Sequence, residues 1–216
     1  MCTNYRTGSR DFLRQRFAAD PDFDYPQEAY PAASVPIVRR AGQDLECVRA
    51  CFGLIPHWAK DLRISRSTYN ARSETVAEKP SYRRAWRQAQ FCLVPMCAFY
   101  EPNYESGRAV RWRIERQDAS EFAAAAIWES WCAPGDSAVL SFSMLTVNAD
   151  SNPLMSRFHA PGEERRSIVV VDPAHYGRWL QADTAGARAL LCPLPAEQFH
   201  ALADPRPGRR RGAGSA

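Results

Sequence analysis

Short apolar segments alternate with polar ones along the chain, and their pattern predicts more strands than helices. Four consecutive segments have the length and apolar content of strands: FCLVPMCAFYE, AVRWRIERQ, FAAAAIWESW and AVLSFSMLTVN. Further strands are predicted at VPIVRR, at RSIVVV and, as a buried strand, at ECVRACFGLIP. The segment VRWRIE alternates strictly between apolar and polar residues, which is typical of a half-exposed antiparallel strand.

Helical patterns are fewer and shorter. One helix is predicted to follow Ser9, with Phe12, Leu13 and Phe17 on one side. PSYRRAWRQAQ has a proline near its first turn, where proline is tolerated, and HYGRWLQ follows the last strand pattern. Many short strands with few helices predict an α+β fold: a single domain built on a curled, barrel-like antiparallel or mixed β-sheet with a few peripheral helices.

Composition narrows the class of protein. The 216 residues are 45% hydrophobic and 24% charged, which is the balance of one globular domain. There is no run of eighteen apolar residues, and the start TNYRTGSRDFLRQRF lacks the apolar segment of a secretory signal. We therefore expect a cytoplasmic protein, most simply a monomer, that has no membrane partner.

The net charge of +4 is concentrated near the end of the chain. The segment from residue 204 onward carries four arginines and one aspartate among Pro and Gly, so the rest of the chain has a net charge near +1. Such a composition cannot build an apolar core. We expect a folded domain over residues 2–203 and a disordered basic tail over residues 204–216.

The seven cysteines are odd in number and include no CxxC pair. This usage is typical of small buried side chains in a reducing compartment rather than of a disulfide framework. Cys47 and Cys51, two thiols without a histidine partner, make a poor zinc site. We predict no metal ion and no cofactor.

Cys2 differs from the other cysteines because it follows Met1 directly. Removal of the initiator methionine would leave a free α-amine and a thiol on one residue. Their reference pKa values, about 7.7–8 and about 8.5, predict that both groups are partly deprotonated near neutral pH. The alternative is an accident of composition.

The segment YNARSETVAEKPSYRRAW combines polar residues, cations and aromatic rings. Asn70 opens a polar stretch that is either a capped turn or part of a site. Lys79, Arg83 and Arg84 follow, interleaved with aromatic residues. Cations that neutralise phosphates and rings that stack on bases are typical of a surface for single-stranded nucleic acid. A solvated helix face explains the same charges equally well.

Three further residues have side chains that could carry chemistry. Glu101 ends an apolar strand, where burial would raise its pKa toward useful proton-transfer values; the alternative is a glutamate that points into water. Trp58 in FGLIPHWA is a stacking platform or, as we favour, a core anchor. His159 lies in a loop before an apolar strand and could shuttle protons, although most loop histidines have no such role.

The basic residues near His159 affect its expected protonation. Arg157, Arg165 and Arg166 crowd it in sequence. Their positive charges disfavour the imidazolium, so we expect them to lower the pKa of His159 and to add positive potential for an anionic ligand.

Taken together, these segments resemble one known family. An initial Met-Cys, then FGLIPHWA, YNARSETVAEKPSYRRAW, CLVPMCAFYE and a Thr-x-Asn-Ala loop leading to His159 occur in the order found in the SRAP family. These are the SOS-response-associated peptidase-like proteins. The resemblance covers about residues 2–180. It implies an enzyme that processes abasic sites in single-stranded DNA and crosslinks to the lesion through a thiazolidine, shielding it; lyase chemistry belongs to the same class.

The resemblance also implies roles for individual residues. Cys2 matches the crosslinking cysteine, Asn70 the asparagine of the NAR motif, Glu101 the glutamate of the FYE motif and His159 the histidine of the third motif. The implied DNA contacts are Arg72 on a phosphate, an apolar wedge at Pro36 or Trp58, Thr146 at a strand end, and the cations Lys79, Arg83, Arg84, Arg165 and Arg166.

The chain departs from the family pattern at three places. Thr3 and Asn4 replace the Gly-Arg that usually follows Met-Cys, and Pro102 replaces an aromatic residue next to the glutamate. After His159, an Arg-Met-Pro pattern is replaced by APGEERR. The resemblance leaves open whether Arg165 or Arg166 takes the expected phosphate contact.

Three functions are therefore compared. The first is covalent capture of abasic sites in single-stranded DNA, in a protein associated with the nucleoid while bound. In this reaction Glu101 shuttles protons, His159 protonates a departing hydroxyl and Asn70 holds the amine or sugar. The second is an N-terminal-nucleophile thiol peptidase, including self-removal of Met1. The third is a non-catalytic module that binds single-stranded DNA.

Overall fold

The computed structural model describes residues 2–132 and 137–206. Within them, twelve strands belong to one sheet: β1 (Tyr5–Thr7), β2 (Glu28–Ala29), β3 (Ser34–Ala41), β4 (Asp44–Phe52), β5 (Asn70–Arg72), β6 (Phe91–Asn103), β7 (Val110–Arg116), β8 (Phe122–Trp131), β9 (Val139–Asn148), β10 (Arg166–Ile168), β11 (Val170–Val171) and β12 (Phe199–Ala203). The α-helices of the same residues are α1 (Arg10–Phe17), α2 (Arg83–Arg87), α3 (Tyr176–Gln181) and α4 (Thr184–Arg188).

Five of the strands pair in a closed ring. The order around it is β3, β4, β9, β8 and β6, and β6 pairs again with β3. All of these pairings are antiparallel except β4 with β9, where Cys51 lies opposite Ser141. The remaining strands extend this ring at its edges. The predicted architecture, one domain around a large mixed sheet with few helices, is confirmed.

The two faces of the strands bury two separate groups of side chains. One group includes Cys2, Tyr5 and Phe142. The other includes Leu13 and Trp179, which helices α1 and α3 contribute. Strand residues alternate between the faces because successive side chains point to opposite sides of a sheet. Cys2 is thus part of a fully packed apolar cluster.

Several predicted elements are confirmed, with changes in length or burial. The predicted helix α1 begins after Ser9, whose hydroxyl accepts a hydrogen bond from Phe12 N (3.1 Å), an N-cap that satisfies a free amide. Helix α2 spans only five residues and starts three residues after Pro80. The strand predicted at ECVRACFGLIP ends at Phe52, and this strand is only half-buried.

Four short strands were not predicted, among them β2, which pairs with β1. β1 pairs with β6 (Tyr5 opposite Phe99), β5 pairs in parallel with β9 (Asn70 opposite Met144), and β12 pairs with β7. β5 contains the sequence NAR, which we interpreted as part of a polar turn or helix start. Its strand conformation depends on pairing with a segment more than seventy residues away, which no local pattern reveals.

The first three residues of the predicted tail are packed on the domain. Asp204 N donates to Arg111 O (2.9 Å), and Arg206 Nη2 lies 2.8 Å from Glu28 Oε1. Residues 204–206 therefore pack on the domain, and the expectation of disorder from residue 204 is wrong for them. Residues 207–216 lie outside the described part of the chain. Among the described residues, no helix combines the length and the apolar character that crossing a membrane requires.

Candidate active site

Cys2 is held where the N-terminal segment meets β5. Its side chain is 1% exposed, and its Sγ donates to Asn4 O (3.4 Å). The Asn70 amide Nδ2 donates to Cys2 O (2.8 Å). Because β5 pairs with β9, the Asn70 backbone is fixed by the sheet and its amide fixes Cys2 in turn. The first two predicted site residues are in direct contact.

The ionisation of the Cys2 thiol differs from our expectation. Burial raises the pKa of this thiol to about 12, and the nearby Glu101 carboxylate adds to the rise. The expected partial deprotonation near neutral pH is therefore wrong, because the reference pKa of an exposed thiol does not apply in an apolar cluster. Cys2 holds a neutral thiol that needs a base at the moment of reaction.

Glu101 and His159 lie next to each other. Glu101, on β6, is 2% exposed, and its Oε2 is 3.6 Å from His159 Nε2. Burial raises the pKa of the Glu101 carboxyl, as predicted. The alternative, a strand-end glutamate pointing into water, is wrong. Because Glu101 acts on the pKa of Cys2, the four predicted catalytic side chains form one connected group.

His159 is neutral at physiological pH. Burial lowers the pKa of His159 to about 4, with a lesser contribution from Arg165. The predicted direction is right, but the cause is burial more than the surrounding arginines. Arg157 instead pairs with Glu105 (Nε to Oε1, 2.9 Å). An imidazolium that donates a proton to a departing hydroxyl is therefore not the resting form of this histidine.

The backbone of β6 positions His159. Its amide N donates to Pro102 O (3.0 Å), and its φ of 77° lies in the left-handed region. Asn103, two residues beyond Glu101, is 2% exposed and its Nδ2 donates to Arg157 O (3.1 Å). One strand thus carries the carboxylate and also anchors the loop that brings the histidine to it.

Sequence reasoning missed two residues at this site. Asn103 has a signal that was available: it is polar, follows Glu101 by two positions and so points to the same face of β6. Tyr69 precedes the NAR strand and its ring packs on Phe52 (5.8 Å between centroids). Its pKa is raised by burial and then by the charges of Cys2 and Glu101, so its hydroxyl lies within their electrostatic reach.

The cations near His159 are largely neutralised. Arg166 is 2% exposed and pairs with Glu74 Oε2 (2.8 Å) and Glu164 Oε1 (2.7 Å). The other Glu164 oxygen lies 2.7 Å from Arg72 Nη1. Arg166 is therefore an internal ion-pair partner and not an exposed phosphate contact. Arg165 is half-exposed, with its Nε donating to Ser156 O (2.8 Å).

Two expected DNA contacts are buried. Thr146 is 1% exposed, and its backbone and hydroxyl oxygens both accept hydrogen bonds from Arg166 Nη2. Pro36 is buried within β3, opposite Arg49. In this conformation Thr146 supports Arg166, and Pro36 cannot act as a wedge, because strand residues of a closed ring are not free to insert into DNA.

Trp58 is exposed rather than buried. Its ring is 49% accessible, and its Nε1 donates to Pro80 O (3.3 Å). Our favoured interpretation as a core anchor is therefore wrong. Within the segment after β5, by contrast, Trp86 is 2% exposed and belongs to the core, so it cannot stack on bases. Tyr82 is half-buried and donates its hydroxyl to Asn70 O (3.0 Å).

The predicted cations of this segment face solvent. Lys79, Arg83 and Arg84 are all exposed. Arg84 Nη1 also lies 2.7 Å from Glu129 Oε1, a carboxylate whose side chain is 3% exposed. Trp58 and these cations can provide stacking and positive charge on one surface. Among residues 2–132 and 137–206, no group of three His, Cys, Asp or Glu side chains is placed to hold a metal ion.

The chain has relatives among known sequences. The profile of the SRAP family, "SOS response associated peptidase", matches residues 1–203. "Abasic site processing protein YoqW" of Bacillus subtilis is 26% identical over 194 residues, covering 88% of this chain and 83% of that protein. "Abasic site processing protein HMCES" of Mus musculus is 26% identical over 181 residues, covering 69% of this chain and half of that one.

Solved structures agree as well. A crystal structure of a protein from Bordetella bronchiseptica superposes with a TM-score of 0.88 at 32% identity, covering 94% of this chain and 99% of that one. A protein from Bacteroides thetaiotaomicron shares the fold with a TM-score of 0.79 at 21% identity, covering 94% and 91%. With a family profile that spans nearly all of the described domain around Cys2, Asn70, Glu101 and His159, the chain belongs to the SRAP family.

Proposed function

We propose that this protein captures abasic sites in single-stranded DNA by forming a covalent thiazolidine with Cys2 after removal of Met1. The observation that carries the proposal is the placement of Cys2: it is buried, fixed by Asn70 and next to Glu101. The names of relatives such as YoqW, which describe abasic site processing, support the same substrate.

The chemistry needs both groups of an N-terminal cysteine. The ring-opened abasic sugar presents an aldehyde, and the α-amine adds to its carbon to give a carbinolamine. Loss of water gives an imine, and the thiol then adds to the same carbon. The sulfur–carbon bond forms while the thiol proton is transferred to the nitrogen, so aldehyde and aminothiol yield a thiazolidine and one water. Ring closure is intramolecular, which removes most of its entropic cost.

Glu101 is the group suited to move the protons. A carboxyl with a raised pKa can protonate the departing hydroxyl and, as the carboxylate, accept the thiol proton of Cys2. Neutral His159, whose Nε2 lies 3.6 Å from Glu101 Oε2, serves to position that carboxyl rather than as an acid. This assignment revises the roles that the sequence suggested for the two residues.

Asn70 is suited to position the reacting amine. Its Nδ2 is used by Cys2 O, whereas its Oδ1 is buried and accepts no hydrogen bond from a described residue. A buried acceptor without a donor is costly. In the mature chain the α-amine or the sugar hydroxyl can supply that donor, without competition for the protons that Glu101 transfers.

The exposed residues beside β5 support binding to a single strand. Trp58 offers a half-exposed ring, and Lys79 and Arg83 offer charges for phosphates. Contacts of this kind fix the position of a strand but do not read its sequence. This suits a target that lacks a base. We propose that the protein does this as a monomer.

The thiol-peptidase alternative is disfavoured by the same geometry. A thiol peptidase uses a thiolate, whose formation requires a lowered pKa. Burial moves the pKa of the Cys2 thiol the opposite way, to about 12. Ring closure tolerates a neutral thiol, because the nucleophile is held next to the imine and Glu101 removes its proton.

Replacing Cys2 separates the functions. We expect Cys2→Ala to abolish a heat-stable adduct with abasic single-stranded DNA while binding to intact strands persists, measured on denaturing gels and by anisotropy. Cys2→Ser is the matched control because its hydroxyl is close in size to the thiol. Both variants keep the α-amine, so both form a borohydride-trappable imine but lose the thiazolidine. A full yield of stable adduct from Cys2→Ala would contradict the thiazolidine mechanism. Intact mass verifies that Met1 is absent.

Glu101→Gln tests the proton transfers. We expect the rate of adduct formation to fall by about 10²-fold or more, the usual contribution of a positioned acid–base group. The amide keeps the size of the side chain and cannot accept the thiol proton. The control is Glu115→Gln on β7, which removes a half-buried carboxylate away from Cys2. Equal rates for the two variants would argue against a catalytic Glu101.

A further inference from the structure

A cavity of about 700 Å³ lies beside the reaction centre and has no role in the scheme above. It shares Asn4 and Glu101 with that centre. The rest of its wall comes from the segment before β3, the hairpin between β6 and β7, and the chain after β12. A molecule in the cavity would therefore touch the side chain proposed to transfer protons at Cys2.

The walls of the cavity are aromatic and basic. Tyr30 is 38% exposed, and the guanidinium carbon of Arg206 lies 4.9 Å from the centre of its ring. Arg108, at the tip of the hairpin, is exposed, and no ion pair engages it within the described residues. Rings next to guanidinium groups are suited to stack on a base, and an unpaired cation is suited to a phosphate.

The third arginine of the cavity, Arg111, is held by contacts within the protein. The Arg111 guanidinium binds Glu28 and Asn4 Oδ1 (3.0 Å) and covers the ring of Tyr100 at 3.4 Å. It therefore forms part of the fixed wall. Arg206 also pairs with Glu28, but its side chain is 53% accessible, so Arg108 and Arg206 are the cations with room to reorient toward a ligand.

The C-terminal segment completes this wall. The hydrogen bond from Asp204 N to Arg111 O continues the edge of the sheet, and it places Pro205 and Arg206 on the cavity. Arg206 is half-exposed there, with its side chain 53% accessible. A segment whose composition predicted only a disordered tail thus contributes a charged side chain beside Glu101.

We propose that this cavity is the subsite for the nucleotide adjoining the abasic sugar, with its base stacked against the Tyr30–Arg206 pair and its phosphate on Arg108. This inference rests on the proposed function and adds where the strand is held. The volume lies within the range of about 300–1,000 Å³ typical of pockets for small organic ligands. The excess of cations fits a polyanion, and the shared Glu101 sets the lesion next to Cys2.

The test compares substrates with and without neighbouring nucleotides. The substrates are single strands with an internal abasic site, strands with the abasic residue at either end, and glycolaldehyde. We expect Tyr30→Ala, Arg108→Ala and Arg206→Ala each to slow adduct formation with the internal site by about tenfold, the order of one stacking or phosphate contact. Modification of Cys2 by glycolaldehyde, followed by intact mass, stays at the wild-type rate.

The nucleotide next to the abasic site provides the decisive comparison. The wild-type protein should form the adduct about tenfold more slowly when the nucleotide on one side of the abasic site is removed. On that shortened strand the three alanine variants should react no more slowly than the wild type. Tyr30→Phe, which keeps the ring, should react as the wild type. Arg178→Ala, which removes an exposed cation from a separate cavity, should also leave the rate unchanged.

The outcomes distinguish the two proposals. Wild-type rates for all three variants, or equal slowing of the variants on every substrate, would overturn the subsite and leave covalent capture standing. Failure of the wild-type protein to form any adduct with abasic strands or glycolaldehyde would overturn the proposed function, and the subsite with it.

Discussion

The side chains around Cys2 owe their unusual ionisation to burial. The same apolar surroundings keep the thiol protonated, raise the pKa of Glu101 and lower the pKa of His159. The thiol of Cys2 and the imidazole of His159 are thus neutral in the absence of substrate, and the raised pKa of Glu101 makes its carboxyl hold a proton more readily than an exposed one. Proton transfer can therefore occur within this buried group once an aldehyde enters.

The lowered pKa of His159 predicts a loss of stability in acid. The folded-state pKa of about 4 lies below the ordinary value of 6.5, so the unfolded chain binds a proton that the folded protein does not. The contribution of His159 is fully present above pH 6.5 and is lost as the pH falls toward 4. We expect this to lower the free energy of unfolding by about 3 kcal/mol, measured by urea denaturation from pH 7 to pH 4.

His159→Asn provides the reference for that measurement. Asparagine does not titrate and tolerates the left-handed backbone at this position. Glu101 contributes in the opposite direction, since its raised pKa gives stability that is lost as the pH rises, and it is present in both proteins. The acid-induced loss between pH 6.5 and 4.5 should therefore be smaller in the variant. Identical pH profiles would contradict a buried neutral histidine.

Among the elements, the loop after β4 depends on one glycine. Gly53 has a φ of 123°, and a Cβ there would lie 1.9 Å from Ser65 O. Its amide donates to Phe142 O (2.9 Å), and Ile55 N donates to the buried Ser141 hydroxyl (2.8 Å). These contacts fix the start of the loop that ends with the exposed Trp58.

We expect Gly53→Ala to lower the free energy of unfolding by about 3 kcal/mol or more, because it combines an unfavourable φ with a backbone clash. Chemical denaturation measures the loss, and binding to intact single strands should weaken as Trp58 shifts. Gly42→Ala is the matched control. Its φ of 65° is also positive, but nothing lies within 4 Å of the added Cβ, so it should cost about 1 kcal/mol. Equal losses for both would exclude the clash as the cause.

The elements also show what local patterns can predict. The segments of β6, β8 and β9 are long and apolar, and their strands were predicted because burial imposes that composition. The four side chains that we propose as the reaction centre were predicted from their order in the chain and the family resemblance. Their ionisation was not fully predictable, since the pKa of Cys2 depends on burial that arises only when distant strands close the ring.

The same limit applies to charged residues. Arg166 and Arg72 have the composition of a phosphate site, yet both are paired with Glu164 in the folded protein. Lys79 and Arg83 have a similar composition and face solvent. Sequence gives the number of cations, whereas the fold decides which of them are neutralised by carboxylates. The fold likewise decides that Trp58 is exposed and Trp86 is buried.

Across the whole molecule, the arrangement of ion pairs governs how strongly a polyanion is attracted. The net charge of +4 is small, so the positive potential of the proposed DNA-binding surface depends on cations that are not paired. Glu164 engages both Arg72 and Arg166, and it does so at the place that a phosphate oxygen would take. This carboxylate therefore competes with DNA for Arg72, whereas Glu74 keeps Arg166 neutralised in either case.

Glu164→Gln should consequently strengthen binding to intact single strands. Releasing Arg72 adds about one phosphate contact, so the slope of log K against log salt should become steeper by about 0.7, measured by anisotropy between 50 and 200 mM salt. Glu163→Gln removes the same charge from the preceding exposed residue and should change affinity less, without that change in slope. In the Arg72→Ala background, Glu164→Gln should no longer raise the affinity for intact single strands. An advantage that persists there would mean that Glu164 repels DNA through the general field of the protein and not by occupying Arg72.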